Sequence, residues 1–397
     1  MKTNYFLCAL MCITSIGKMK AADLYVRDLG AGGAYATISA AITAASDGDR
    51  IIIQPKIGNV PYIENLTINK SLTFVSETNF SKYYVQGTIT LVPAVDRVIT
   101  LNNMRVFQNG ISTSTVTLSG GRSTINIINC ISDAEIDLDN SKNVTANVSQ
   151  TTCTDLYFVH GKIIGNDIRY LYLNNDAAPL ATSDVYIVAN KSGGNTITNN
   201  SYILNFLNNY VDDSSPGIFP LDIVNFKSGT TNTIQNNFLK HTPSFSINGI
   251  RSVNISSPNP GIINIINNIF YVPSTGSEEI IASTQPTVIA NNNLSYGPFN
   301  PTNVDILNDN ISSGVYTLNI NTGASTGAII NAGLPNEEYQ DLDLTRNDIG
   351  PFGGSNSWVN YWPANAGNKP RVMFLNTPRR VYQGTTTIQA EATGISK

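Results

Sequence analysis

Leu207-Asn208-Asn209-Tyr210, Gln235-Asn236-Asn237-Phe238 and Ile266-Asn267-Asn268-Ile269 are copies of one pattern: an asparagine pair followed by a large apolar residue. Looser copies are Leu101-Asn102-Asn103-Met104, Ile128-Asn129-Cys130-Ile131, Ala146-Asn147-Val148, Gly165-Asn166-Asp167-Ile168, Ala189-Asn190 and Asn292-Asn293-Leu294. One asparagine from each gives spacings of 27, 18, 19, 24, 18, 28, 31 and 25, a mean of about 24. A period in this range marks stacked supersecondary units. Between the copies lie short β-rich runs, such as Ile51-Ile52-Ile53, Leu66-Thr67-Ile68 and Leu72-Thr73-Phe74, separated by Pro, Gly, Asn and Ser. Asparagine tolerates the left-handed backbone region and can bond to a stacked neighbour. The pattern therefore predicts an all-β solenoid, a parallel β-helix with an asparagine at the same tight turn of each coil. An asparagine-rich β-sandwich is the other arrangement that this composition allows.

Composition narrows the class. The 397 residues include 50 Asn and 30 Gly, with 13% charged and 41% hydrophobic residues. That balance is the reverse of a disordered chain. A net charge of −4, with 24 Lys and Arg in no basic stripe, argues against a nucleic-acid binder. After the N-terminus no apolar run reaches the ~18 residues of a membrane span. Lys2, the apolar stretch Tyr5 to Ile16, and small residues at Ser15-Ile16-Gly17 or Ala21-Ala22 read residues 1–21 as a signal peptide. The expected location is thus secreted or at the cell surface. Met11 is too large to precede a lipidated Cys12. Cys130 and Cys153 would remain, 23 residues apart, close to one period and so candidates for a disulfide. The asparagine register points the other way, to two buried free thiols. Cys130 directly follows Asn129, whereas Cys153 lies six residues beyond Asn147. With only two His, a multi-histidine metal centre is excluded.

Ile38, Ala41, Ile42 and Ala45 follow the helical period, and Gly48 stands just beyond as a stop. Tyr35-Ala36-Thr37-Ile38, Gly48-Asp49 and the run Tyr62 to Thr73 resemble the opening of pectin-lyase-type right-handed β-helix proteins. The resemblance implies a single-stranded right-handed parallel β-helix whose first coil is capped by this helix, with Gly-Asp turning the chain into the first strand. Pro61 replaces the family's usual Gly before the Tyr, with Gly58 earlier, which implies a longer turn and an intact cap. Asp341 to Gly354 is similar to the terminal motif of many secreted bacterial β-helix proteins. Its Asp341, Asp343 and Asp348 are candidate Ca²⁺ ligands; a capped turn with Arg346 paired to a carboxylate is the alternative. Arg371 to Leu375, Arg380-Val381-Tyr382 and Thr386-Thr387-Ile388 read as a short terminal β appendage. The expected division is a signal at 1–21, a capped β-helix over 22–340, and the C-terminal motif with its strands over 341–397.

The signatures of the resembling enzymes are missing. No Asp-Phe-Ile-Phe-Gly strand or Gly-His-Gly segment occurs, and Asp212-Asp213 sits in what reads as a loop before Pro216. The fold hosts several reactions and names none. Two function classes follow: an exported protein that binds acidic polysaccharide or serves as an envelope surface or adhesive protein, or a lyase or hydrolase of uronic-acid glycans. The candidate patch begins at Asp133, Glu135, Asp137 and Asp139, which alternate with Ala134, Ile136 and Leu138 and would share one outer strand face. Coils that follow would add Asp155, Tyr157, His160, Lys162, Asp167, Arg169, Tyr170, Tyr172 and Tyr186. Asp137, Asp139 and Arg169 are the catalytic candidates, as an acid/base pair and as a group that neutralises or deprotonates a uronate. Asp133, Glu135, Tyr157, His160, Tyr170 and Tyr172 are the substrate-binding candidates. Ca²⁺ held by the carboxylates is the cofactor this arrangement would take. A solvated acidic strand, with tyrosines partly in the core, is the reading without a site.

Overall fold

Inward residues repeat at the same place of each coil, so burying them requires coil to stack on coil. A computed structural model describes residues 21–78, 81–177, 179, 184–213, 219–241, 251–272, 278–362, 371–376, 387 and 391–395. In it the chain winds into a right-handed parallel β-solenoid of about 10 turns. One face is a sheet of thirteen strands, from Asp23–Val26 to Ile306–Asn308; an eighteen-stranded sheet, in which most coils contribute two short strands, supplies the rest. A single inward column shows the packing. Ile51, Phe74, Leu101, Ile127, Val148, Ile163, Ile187, Phe206, Ile234, Ile265 and Ala290 stand in register, all fully buried.

The two sheets meet at a two-residue turn, and here the asparagines act. The first turn residue is left-handed at Asn103, Asn129, Gln150, Ala189, Asn208, Asn236, Asn267, Asn292 and Asp309, and at Gly165. The second points inward. Asn166, Asn190, Asn209, Asn237, Asn268, Asn293 and Asn310 form an unbroken ladder. Asn209 is typical: its backbone N–H and its Nδ2 both donate to Asn237 Oδ1, at 2.8 and 3.0 Å. Nδ2 also donates to the Ile187 carbonyl at 3.0 Å. Each amide thus fills its donor and acceptor capacity in a dry interior. Ladder spacings of 24, 19, 28, 31, 25 and 17 residues show that variable corners, not the turn, absorb the differences in coil length.

Two expectations about this turn change. Asn147 is a strand residue whose Nδ2 donates outward to Asn126 at 3.0 Å; the turn of its coil is Gln150-Thr151. Upstream the ladder position passes to other side chains. Thr151 Oγ1 accepts from the Cys130 N–H at 3.3 Å, and Cys130 Sγ donates to the Leu101 carbonyl at 3.6 Å. Cys130 is therefore a turn residue and Cys153 a strand residue; both are buried and free. Burial pushes the Cys130 thiol up to about 11 and that of Cys153 higher still, so neither is a ready nucleophile.

Both flanks of the stack are finished by specific bonds. The helix Ile38–Ala44 lies over the first coil with Ile38, Ala41 and Ile42 buried. Thr37 Oγ1 caps it, accepting from the Ala40 N–H at 3.2 Å. Glu64, from the next coil, accepts from the N–H groups of Ile38 and Ser39, both at 2.9 Å. At the other end Lys70 Nζ donates to the Ile42, Thr43 and Ala45 carbonyls at 2.6–3.0 Å. A carboxylate at the helix N-terminus and an ammonium at its C-terminus satisfy the groups a short helix leaves open.

The coils stop near Ile311, short of residue 340. A hairpin of Tyr316–Asn319 with Ala324–Gly327 follows, and the chain then runs back along the outside of the left-handed column. Asn292 Nδ2 donates to the Ala332 carbonyl, Asn267 and Asn236 to Asn347 Oδ1, and Asn208 to the Pro351 and Gly353 carbonyls, at 2.7–3.3 Å. Trp362 Nε1 reaches the Ala189 carbonyl at 2.7 Å. Beneath this segment lie Tyr210, Phe238, Ile269 and Leu294, the apolar residues that follow the asparagine pairs, packed with Ile329, Ile349 and Tyr316. A terminal antiparallel pair, Arg371–Asn376 with Glu391–Ile395, supplies the expected β appendage. The expected strand Arg380-Val381-Tyr382, all of Thr386-Thr387-Ile388 but Thr387, and residues 1–20 of the expected signal lie outside the described residues.

The ladder sets a measurable cost. Asn237→Ala should destabilise by about 2–3 kcal/mol, because partners in two coils lose their bonds in a buried setting. Asn264→Ala, at an outward position one coil further on, should stay within about 0.5 kcal/mol of wild type. Denaturant unfolding of the two variants beside wild type checks the contrast, and equal effects would remove the ladder's special role.

Candidate functional site

Outward residues late in each coil's passage along the eighteen-stranded sheet form a continuous row. It runs Thr67, Thr90, Ser112, Asp137, Tyr157, Tyr172, Thr196, Asp222 and Asn254. All can hydrogen bond, and only two are large rings. Tyr157 and Tyr172 stack face to face along the coil axis, centroids 4.6 Å apart and planes 6° from parallel.

The acidic run 133–139 keeps its alternation, with Ile136 and Leu138 buried, but it is not one strand. Strands Ile131–Ser132 and Ile136–Asp137 are separated by a bend. Five residues separate Ile131 from Ile136, against four between their partners Thr152 and Leu156, so one extra residue bulges out. The bend splits the four carboxylates. Asp133 pairs with Arg105 at 3.1 Å, and Glu135 is exposed on the bulge. Asp137 and Asp139 remain together, the Asp139 N–H donating to Asp137 Oδ1 at 3.3 Å. Asn140 Nδ2 donates to Asp137 at 2.7 Å, and Asn174 Nδ2 donates to Asp139. Burial, aided by Asp139, pushes the Asp137 carboxyl up to about 6.

One coil further, Arg169 pairs with Asp155 at 3.2 Å and lies over the Tyr170 ring, 5.1 Å from its centroid. Tyr170 stands in register with Asp155 on one side and Gly194 on the other. Asp167 turns instead to Lys191 at 3.6 Å. His160 does not join this face. It is buried at the corner beyond Phe158, its Nδ1 3.2 Å from Thr145 Oγ1 and its ring 4.5 Å from that of Tyr202. Lys162 and Tyr186 lie on the thirteen-stranded sheet and also leave the patch. Asp212 and Asp213 belong to the strand Tyr210–Asp213 rather than to a loop, and Asp212 pairs with Lys240 at 2.8 Å.

Sequence reasoning missed the far end of the row. Asp222 accepts from Asn254 Nδ2 at 2.8 Å, and Asn254 Oδ1 accepts from Arg251 at 3.1 Å. Arg251 in turn covers the Phe219 ring at 5.6 Å. Burial raises the Asp222 carboxyl, while the Asn254 bond and the Arg251 charge oppose the rise. These residues are separated by corners of unequal length, and no local motif marks them.

The C-terminal aspartates are turn caps. Asp341 accepts from the N–H groups of Asp348 and Gly354, Asp343 from Thr345, and Asp348 from Asn331. Arg346 donates to the Gly333 and Ala332 carbonyls, not to a carboxylate. Among the described residues no three His, Cys, Asp or Glu side chains are grouped to hold a metal ion. No described helix is long and apolar enough to cross a membrane. No family model, curated protein or solved structure matches this chain.

The carboxyl pair carries a pH signature. Because the folded Asp137 holds its proton to about pH 6 and an unfolded one only to about 4, its contribution to stability falls as pH rises between those values. Above that window the cost of the ionised pair stays. Asp137→Asn keeps a donor toward Asp139 and removes the charge. Its melting temperature should exceed that of wild type near pH 7.5, with the gap closing toward about pH 4. A variant that melts below wild type at neutral pH would count against the strained pair.

Proposed function

We propose that this protein is an exported solenoid of the pectin-lyase type that binds polysaccharide along the Asp137–Asn254 row, at the cell surface or beyond it. The supporting observation is the Tyr157–Tyr172 stack set between short side chains. Because the rings face each other, their open faces are the two ends of the stack. One looks toward Asp137 and the other toward Thr196. Thr196 is much shorter than Tyr172, which leaves a step with an aromatic wall and the Asp222–Asn254 pair beyond. The C–H face of a sugar ring fits such a wall, and its hydroxyls meet carboxylate and amide groups that accept and donate. Lys2 with the apolar run Tyr5 to Ile16 supports export. The capping helix, held by Glu64 from the coil below, supports the family likeness.

Binding is favoured over cleavage on geometry. Glycoside-cleaving carboxyl pairs stand about 5–9.5 Å apart across the bond they break. Asp137 and Asp139 interact directly, the Asp139 N–H donating to Asp137 Oδ1 at 3.3 Å, rather than facing each other across a gap for a sugar. Arg169, the base a lyase would need, is tied to Asp155. The raised Asp137 carboxyl is the one feature that suits the lyase or hydrolase alternative.

Affinity electrophoresis against a polysaccharide panel tests the reading. Wild type should be retarded by at least one polymer, and Tyr172→Ala should bind it about tenfold more weakly, or about 1.4 kcal/mol. Indifference of wild type to every polymer, or equal binding by the variant, would end the proposal. Release of unsaturated products absorbing in the ultraviolet, or of new reducing ends, would favour the enzyme instead.

A further inference from the structure

The cations along the proposed face already have protein partners. Arg169 is held by Asp155, and Arg251 by Asn254 and the Phe219 ring. Lys142 Nζ donates to the Asp139 carbonyl at 2.8 Å. What faces outward around the tyrosine stack is acceptor-rich: the Asp137–Asp139 pair at one end and Asp222 at the other. We infer that this face takes an uncharged sugar polymer and turns uronic-acid polymers away, a reading that rests on the proposed polysaccharide binding at the same row. Sugar hydroxyls are donors, and they match carboxylate oxygens without a charge penalty. A uronate placed against Tyr172 would instead set its carboxylate within one or two coil spacings of Asp222 or Asp137, and the guanidinium of Arg169 is already paired with Asp155. Like charges at about 5–10 Å repel in a half-buried setting. This choice reverses the expectation of an acidic glycan.

The test compares uncharged polymers (glucans, xylans, mannans, galactans, arabinans) with polygalacturonate and alginate, in EDTA and again in calcium. Wild type should bind at least one uncharged polymer and bind both uronates at least tenfold more weakly in either buffer. The double variant Asp137→Asn with Asp222→Asn, whose folding is checked by circular dichroism, should gain uronate binding by at least threefold. Uronate preference in wild type, with Tyr172→Ala still weakening it, would overturn the charge selection and leave polysaccharide binding intact. An unchanged uronate affinity in the double variant would overturn it as well. Binding to no polymer at all would overturn both.

Discussion

Everything in this molecule depends on satisfying the backbone at one buried corner. A parallel solenoid must turn sharply between sheets once per coil, and the inward residue of that turn sits where no water reaches. Its neighbours' N–H and carbonyl groups have to be paired there or the coil cannot close. A carboxamide carries both functions at one end of a short side chain, so an asparagine at this position bonds both the coil before and the coil after. Asn166 to Asn310 repeat that solution seven times, and the bonds of each amide depend on the next being in place. Such a column fixes the register of every strand that leaves it, including the outward rows.

The asparagine pair divides its labour. The second residue builds the ladder inside; the first, left-handed, projects outward and holds the returning C-terminal segment. Asn208, Asn236, Asn267 and Asn292 each supply one such bond or more. Where the segment presents rings instead of carbonyls, the left-handed residue becomes small: Ala189, buried against Trp358 and Trp362. Alanine pays a backbone cost there that glycine would not, and the indole packing around it offsets that cost. The large residue after each pair faces outward yet is covered by this segment: Phe238 and Ile269 are buried and Tyr210 is half-buried. An outward apolar residue in a β-solenoid is thus a sign of a covering element.

How far the sequence could be read follows from the same physics. The solenoid was legible because its costliest position uses one residue type, and the cap because a helical period stands out among strands. Cys130 and Thr151 were not legible as ladder members, since a thiol or a hydroxyl can do part of the amide's work without resembling it. Asn147 misled for the opposite reason, an asparagine on a strand where it bonds sideways. In the site, alternation placed Asp137 and the tyrosines on the outside, but it gave no warning of the bulge that separates Asp133 and Glu135 from them. His160 could not be assigned from parity because it lies at a corner, where parity lapses. Asp222 and Asn254 join the row only through the register set by the ladder across corners of unequal length.

The same reasoning explains why the face at Tyr157 and Tyr172 calls for a role. Ladder, core columns and covered row are each fixed by burial, so their residues answer to the fold. The outward row through Asp137 and the tyrosines is fixed only by backbone bonds, and any side chain that tolerates a strand can stand there. Through Thr67, Thr90 and Ser112 it holds small hydroxyl residues, which solvate a sheet at little entropic cost. At Asp137 it changes abruptly to a carboxyl that pays to ionise, then to two stacked rings, then back to Thr196. A buried-leaning carboxyl pair lowers stability at neutral pH, and half-exposed rings could be replaced by threonine with no demand from the core. The carboxyl pair costs the fold stability and the rings are not required by its core, which is the pattern that a proposed binding face would leave.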